Sequence, residues 1–226
     1  AFLRSPVFTV SEIEITGLKW LTADQVIAWS GLQGSFWIWQ VDTEQVARRL
    51  REHPRVLGAE VERRWPNRLV VRLMERTPVA VVRYHDLWVL VDDSGVAMAL
   101  EQERPEGLPE LRGIELQQVG LGQPLPGDLP LAARCAGYRR QYGLDWIERI
   151  EVTPEGLVLT LSGGVPAYFG RVSDEPDRKL AVLNSLWTSW RDQLHEVAFF
   201  DVRHPERPVV QTHLRQQTPT SAEGDG

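Results

Sequence analysis

At 226 residues the chain has room for one large domain or two ordinary ones, and either size buries most of its apolar surface. With 42% hydrophobic and 25% charged residues it is not a wholly disordered chain. A formal net charge of −6 sets it against a phosphate backbone unless basic residues gather on one face, so nucleic acid is not an expected partner. The single cysteine, Cys135, excludes an internal disulfide and cannot build a thiolate metal site alone. No run reaches the ~20 apolar residues of a membrane span, because VAVVRYHDLWVLV is interrupted by Arg83, His85 and Asp86. The sequence starts at Ala1 rather than at methionine, which reads as a fragment that has lost a targeting or membrane segment.

In chain order, Phe8 to Gly17 alternates Phe8 and Val10, then Ile13 and Ile15 with a break in phase, and reads as a bulged strand. Two short helices follow with one entry signal. Thr22 and Asp42 sit where a cap receives orphan amides, Gln25 and Gln45 stand three residues on, and an apolar residue before each cap faces Val26 or Val46. The second helix is expected to end near His53, since Pro54 disfavours helical geometry before it. Val56 to Arg64 and Leu69 to Glu75 alternate as two strands joined through Trp65-Pro66-Asn67. The first ~70 residues thus spell β-α-α-β-β, with helices over a three-stranded sheet. Within RRWPNRLVVRLMERTPVAVV, Arg64 and Arg72 fall on the outer face of that hairpin, which reads as a solvated surface rather than a phosphate site.

From Thr77 strands dominate: PVAVV, LWVLV, a turn at Asp92-Asp93-Ser94-Gly95, and GVAMA. Arg104 to Gly127 is rich in proline and glycine and reads as a loop, and Asp128 to Tyr142 as a helix stopped by Gly143. Ile147 to Val152, Leu157 to Leu161 and Val165 to Phe169 are expected strands. A helix beginning at Asp174 or Glu175 carries Leu180, Leu183, Trp187 and Trp190 at core spacing. Val197 to Val202 and Val209 to Thr212 form a last strand pair, and QQTPTSAEGDG reads as a disordered tail. The fold class expected is α+β. Its units are a linker at 1–7, a small domain at 8–76, a larger mostly antiparallel β-domain with flanking helices at 77–213, and a tail at 214–226.

No catalytic or cofactor motif emerges. His53, His85, His195, His204 and His213 are scattered without ligand spacing, and Asp92-Asp93-Ser94-Gly95 reads as a turn. Ser162-Gly163-Gly164 lacks the flanks of a nucleophile elbow. No enzyme activity, metal or cofactor is expected.

WPNRLVVRLMERTPVAVV, followed by LWVLVDDSGV, LPELRG and DVRHPERPVV, resembles in order the extracytoplasmic part of the bacterial cell-division family FtsQ/DivIB. The resemblance runs from Phe8 to about Thr212. It implies a POTRA domain and a β-domain behind a single membrane helix, at the septum, and a scaffold without catalysis. The implied partners are FtsB-like and FtsL-like membrane proteins, with other divisome proteins contacting the POTRA domain; on the residues alone, the surface around Arg48, Arg51 and Arg55 reads first as a solvated helix face and only second as a contact for division proteins or anionic lipid. A POTRA module of outer-membrane assembly or secretion is the alternative reading. The resemblance also implies that an FtsB-like segment adds as a strand at the C-terminal edge, pointing to Arg171, Arg203, His204, Glu206, Arg207, Val209, Val210 and Thr212 as partner-binding residues. On the residues alone, Arg203 reads equally as a partner of Asp201, Val210 as sheet core, and Arg171 as a turn cap.

Overall fold

The computed structural model describes residues 6–172 and 175–213. The expected tail at 214–226, most of the linker, and Asp174 as a helix start lie outside the described residues. The fold is α+β: a three-stranded sheet with two helices comes first, followed by a nine-stranded, mostly antiparallel sheet with two more.

In the first unit, β1 (Glu12–Thr16) pairs parallel with β3 (Arg68–Glu75), which pairs antiparallel with β2 (Val56–Arg64). The strand expected from Phe8 begins only at Glu12. Pro6–Phe8 is a 3-10 turn, and Thr9 bridges Trp37 instead of joining the sheet. The phase break explains this: Phe8 and Val10 still pack against the core, but from a segment that runs beside the sheet. Helices α1 (Ala23–Ser30) and α2 (Thr43–Arg51) cover one face. Thr22 Oγ1 accepts the Gln25 amide at 3.2 Å, and Gln25 Oε1 accepts the Thr22 amide at 2.9 Å, a reciprocal cap. Asp42 receives the Gln45 amide at 3.0 Å. Val26, Val46 and Leu50 meet Leu69, Val71 and Leu73, all buried, so the alternation in β3 and the helical period converge on one core. At Gly17 (φ 86°) a Cβ would lie 1.8 Å from the Leu73 carbonyl oxygen, so only glycine lets the chain leave β1 this close to β3.

The large sheet runs β12-β11-β10-β9-β8-β7-β4-β5-β6. Its strands are β4 (Ala80–Tyr84), β5 (Leu87–Val91), β6 (Ala97–Glu101), β7 (Glu110–Arg112), β8 (Ile147–Thr153), β9 (Gly156–Leu161), β10 (Pro166–Gly170), β11 (Val197–Asp201) and β12 (Val209–Thr212). The expected loop from Arg104 to Gly127 therefore contains a central strand. β7 pairs parallel with both β4 and β8 and joins the two halves of the sheet. Three residues are too few for periodicity to register. What holds β7 in place is tertiary: Leu111 is buried, and the buried Glu110 carboxylate, which takes Arg112 within the strand at 2.7 Å and 3.0 Å, also lies 3.8 Å from Arg149 Nε of β8. Helix α3 (Leu129–Gln141) lies against β8, β7 and β4. Its buried Arg139 donates to the carbonyls of Gly107, Asp145 and Ile147, and burial lowers its pKa. Cys135 is fully buried on the same helix, which pushes its thiol up to about 12.

Helix α4 (Pro176–Trp190) carries the chain from β10 to β11, which pair parallel. Leu180 and Leu183 are buried, and Trp187 stacks on Trp146 with ring centroids 4.7 Å apart, so the tryptophan stripe serves packing. No helix among the described residues is long and apolar enough to cross a membrane, and none of their His, Cys, Asp and Glu residues cluster to hold a metal.

Candidate partner-binding edge

β12 is the last strand of the large sheet, so one side of it has no neighbour among the described residues. Which backbone groups that side presents follows from register. The His213 amide donates to the Glu196 carbonyl at 2.8 Å, and Val197, Phe200 and Asp201 oppose Thr212, Val210 and Val209. Backbone groups alternate along a strand, so those of Gln211 and Val209 also point to β11, while the N–H and C=O of Val210 and Thr212 point outward. The extra residue that shifts the register lies in β11, between Val197 and Phe199, and leaves the alternation of β12 intact.

Side chains sort by face. Val210 packs on the core beside fully buried Phe200 and Ala167, so on the residues' own terms it is sheet core, and what it offers at the edge is backbone. Val209 is 48% exposed and lies on the outer face in one cross-strand row with Asp201 and Tyr168. Gln211 and Phe199 form the next row.

Arg203 follows β11 and turns back over this row. Its Nε lies 3.0 Å from Asp201 Oδ1 and its Nη2 2.6 Å from Oδ2, while its backbone amide also donates to Oδ1 at 3.0 Å. The guanidinium lies over the Tyr168 ring, 5.6 Å from its centroid. The aliphatic stem crosses Gly170 (φ 71°), where a Cβ would sit 3.1 Å from Arg203 Cγ. Tyr168 in turn meets Phe199 edge to face at 5.3 Å. Arg203, Asp201, Tyr168 and Phe199 therefore form one preorganised, partly exposed cluster beside the open edge. Tyr168 and Phe199 were not among the sequence-predicted site residues. The signal was present: in PAYFG and VAFFD the buried alternates Phe169 and Phe200 leave Tyr168 and Phe199 on the other face.

The remaining predicted residues are placed less centrally. Arg171 is exposed just after β10, its carbonyl accepts Lys179 Nζ at 3.0 Å, and it lines a small cleft with Thr153, Pro154 and Leu131. His204, Glu206 and Arg207 occupy the exposed turn between β11 and β12, with His204 Nδ1 3.9 Å from Glu206 Oε1. They flank the end of β12 rather than its length.

The Asp201 carboxyl titrates below its ordinary value: partial burial pushes it up, and hydrogen bonds from the Arg203 side chain and amide outweigh that. A depressed pKa contributes stability above the unfolded value of ~3.9, and that contribution is lost as pH falls through the lower folded value. The stability margin of the parent chain over Asp201→Asn is therefore expected to hold level above about pH 5 and shrink below about pH 4. Urea titrations of both proteins across that range check it, and a margin that stays flat into acid removes the assigned pair.

Residues 8–76 match the model for the POTRA domain, FtsQ-type. The chain is 26% identical over 213 residues to the cell division protein FtsQ of Syntrophotalea carbinolica, covering 91% of this chain and 74% of that protein. It is 34% identical over 179 residues to FtsQ of an Anaeromyxobacter species, covering 74% and 59%. It is 31% identical over 81 residues to DivIB of Geobacillus kaustophilus, covering 36% and 31%. A solved structure of the major extracytoplasmic domain of the division protein DivIB from Geobacillus stearothermophilus aligns at TM-score 0.30 and 15% identity, over 41% of this chain and 76% of that one. Residues 8–76 are therefore an FtsQ-type POTRA domain, and over about nine-tenths of its length the chain is similar to bacterial cell-division proteins named FtsQ, with a shorter match to one named DivIB.

Proposed function

We propose that this chain is the extracytoplasmic part of a non-catalytic division scaffold, membrane-anchored through a segment outside this sequence and working at the septum. In this reading β12 receives an FtsB-like segment by strand addition, FtsL-like and other division proteins join the same assembly, and the assembly helps control septal peptidoglycan synthesis. The observation that carries it is the open edge of β12, with the backbone groups of Val210 and Thr212 turned outward. An incoming strand gains main-chain hydrogen bonds there without disturbing the β11 ladder. The Arg203–Asp201–Tyr168 cluster supplies a rigid polar and aromatic border, of the residue types that tend to dominate interface energies. Anchoring both partners in one membrane raises their effective concentration, so a modest intrinsic affinity suffices.

The test is a peptide from the membrane-proximal extracytoplasmic part of an FtsB-like partner, followed by calorimetry. Intact chain is expected to bind it, and deletion of Val209–Thr212 to abolish binding. Because a deletion can also disturb folding, Val210→Pro is the sharper variant. It removes one outward N–H and no β11 bond, so it is expected to end binding while the melting temperature moves by only a few degrees. Undiminished binding by Val210→Pro would falsify strand addition at this edge, and no binding by the intact chain removes the partner itself.

A further inference from the structure

The opposite end of the large sheet is also an edge. β6 pairs with β5 alone. Among the described residues it is the start of β6 that is covered: the Ala97 amide donates to the Gln123 carbonyl, the Gly122 amide donates back to the Ala97 carbonyl, and Val96 bridges Pro124. At its other end Leu100 and Glu101 line a cleft of about 750 Å³. Its apolar lining is Pro78, Leu90, Leu100, Pro105 and Leu108 from the second unit, with Trp20 from the first. Trp20 is 46% and Leu100 38% exposed, so a large ring and an aliphatic chain stand open to water on the two walls. Lys19 already lies 5.9 Å from the Trp20 ring centroid, a local instance of a cation held on that face.

The rim is net acidic, with three glutamates against one arginine, Arg55. Glu101, Glu103 and Glu106 all line the cleft. Glu101 is paired with Arg55 at 3.2 Å, whereas Glu103 and Glu106 are exposed and make no ion pair among the described residues. An apolar trough of this size with acidic lips excludes an acidic ligand and complements an extended segment that alternates apolar and basic side chains. In a strand lying along β6, successive side chains point to opposite faces. One set then meets the apolar lining, and basic side chains of the segment meet Glu103 and Glu106 at the rim.

We propose that β6 and this cleft form a second docking surface, for an extended lysine- or arginine-bearing segment of a partner protein. The site is separate from β12, which lies at the far end of the same sheet, and the proposal does not depend on the partner assigned there. It uses residues from both units, so binding also fastens the first unit to the second.

The probe is a fluorescein-labelled heptapeptide alternating lysine with valine and leucine, with a glutamate counterpart, titrated with the intact chain by anisotropy. The lysine peptide is expected to bind saturably and the glutamate peptide not at all. Glu103→Lys with Glu106→Lys is expected to weaken binding on the order of tenfold, since two rim attractions become repulsions. Glu115→Lys with Glu148→Lys makes the same change in net charge at exposed positions elsewhere, and is expected to stay within about twofold. Val210→Pro is expected to leave the peptide bound. Absence of binding by the lysine peptide overturns the proposal. So does equal weakening by both charge-reversal pairs, which marks non-specific attraction to an acidic chain, and so does loss on Val210→Pro, which puts the peptide at β12.

Discussion

Glu75→Ala is expected to destabilise the chain by about 3–5 kcal/mol, among the largest effects of any single substitution in it. Glu75 ends β3, is 4% exposed, and aims its carboxylate at the chain entering α1. Oε1 accepts the amides of Lys19 at 2.8 Å and Leu21 at 3.2 Å, and Oε2 accepts that of Trp20 at 3.0 Å. One side chain thus satisfies three backbone donors just before the Thr22 cap. Hydrogen bonds to a charged acceptor each contribute about 1.5–3 kcal/mol, and truncation leaves the donors without a partner in a partly buried corner. Glu75→Gln keeps one acceptor oxygen but turns an N–H₂ group toward backbone N–H, so it is expected to recover only part of the loss. Urea unfolding with the denaturant slope unchanged reads both values. A change under about 0.5 kcal/mol for Glu75→Ala, the size of an ordinary surface substitution, would show that these bonds carry little.

Asp92→Ala is expected to be nearly as damaging, at about 3–5 kcal/mol, and Arg76→Ala milder, at about 2 kcal/mol. Asp92 opens the turn after β5 with its side chain 3% exposed, and its Oδ1 accepts the amides of Ser94 at 3.0 Å and Val96 at 2.8 Å. Oδ2 receives Arg76 Nη1, from the residue that follows β3. Removing the carboxylate strands two amides and a largely buried guanidinium together. Removing the arginine leaves the carboxylate two donors, and Arg76 Nε is already buried without an acceptor, so part of its desolvation cost is present in the native chain. The double variant is expected to fall short of the sum by about 1–3 kcal/mol, the coupling typical of residues in one network. Additive losses would show that Arg76 does not tie the two units together. Two further contacts lie at the same joint: the Arg76 amide donates to Arg55 at 2.8 Å, and Arg55 pairs with Glu101.

These two residues change the meaning of the stretch around Glu75-Arg76-Thr77-Pro78. By alternation its arginines face water, and for Arg64, Arg68 and Arg72 that holds: they pair with Glu62, Glu12, Glu14 and Glu60 at the surface. Glu75 and Arg76 differ because the strand ends there, and their partners come from the α1 entry and from the turn after β5, 55 and 16 residues away. No local pattern announces a partner at such separations.

The candidate site divides in the same way. The last strand pair, Val209 to Thr212 with its partner, is legible from alternation and from the turn between the two, and the bidentate partner of Arg203 stands two residues before it. The aromatic border was missed because Tyr168 belongs to β10, which becomes a neighbour of β11 only through the parallel crossover by α4.

What the sequence determined by itself is whatever depends on neighbours in the chain. That includes the caps at Thr22 and Asp42, the Trp65-Pro66-Asn67 hairpin, the alternating strands, and the residue types that carry the family resemblance. What only the tertiary structure decided is the order of the nine strands, the insertion of β7 at their centre, and the exposure of β12 and β6 as the two ends. Side-chain period encodes which face of a strand is buried, but backbone hydrogen bonding along a sheet is open to any strand. Which edges stay unpaired is therefore settled by long-range packing, here by α3 and α4 and by the buried charges that hold the units in place.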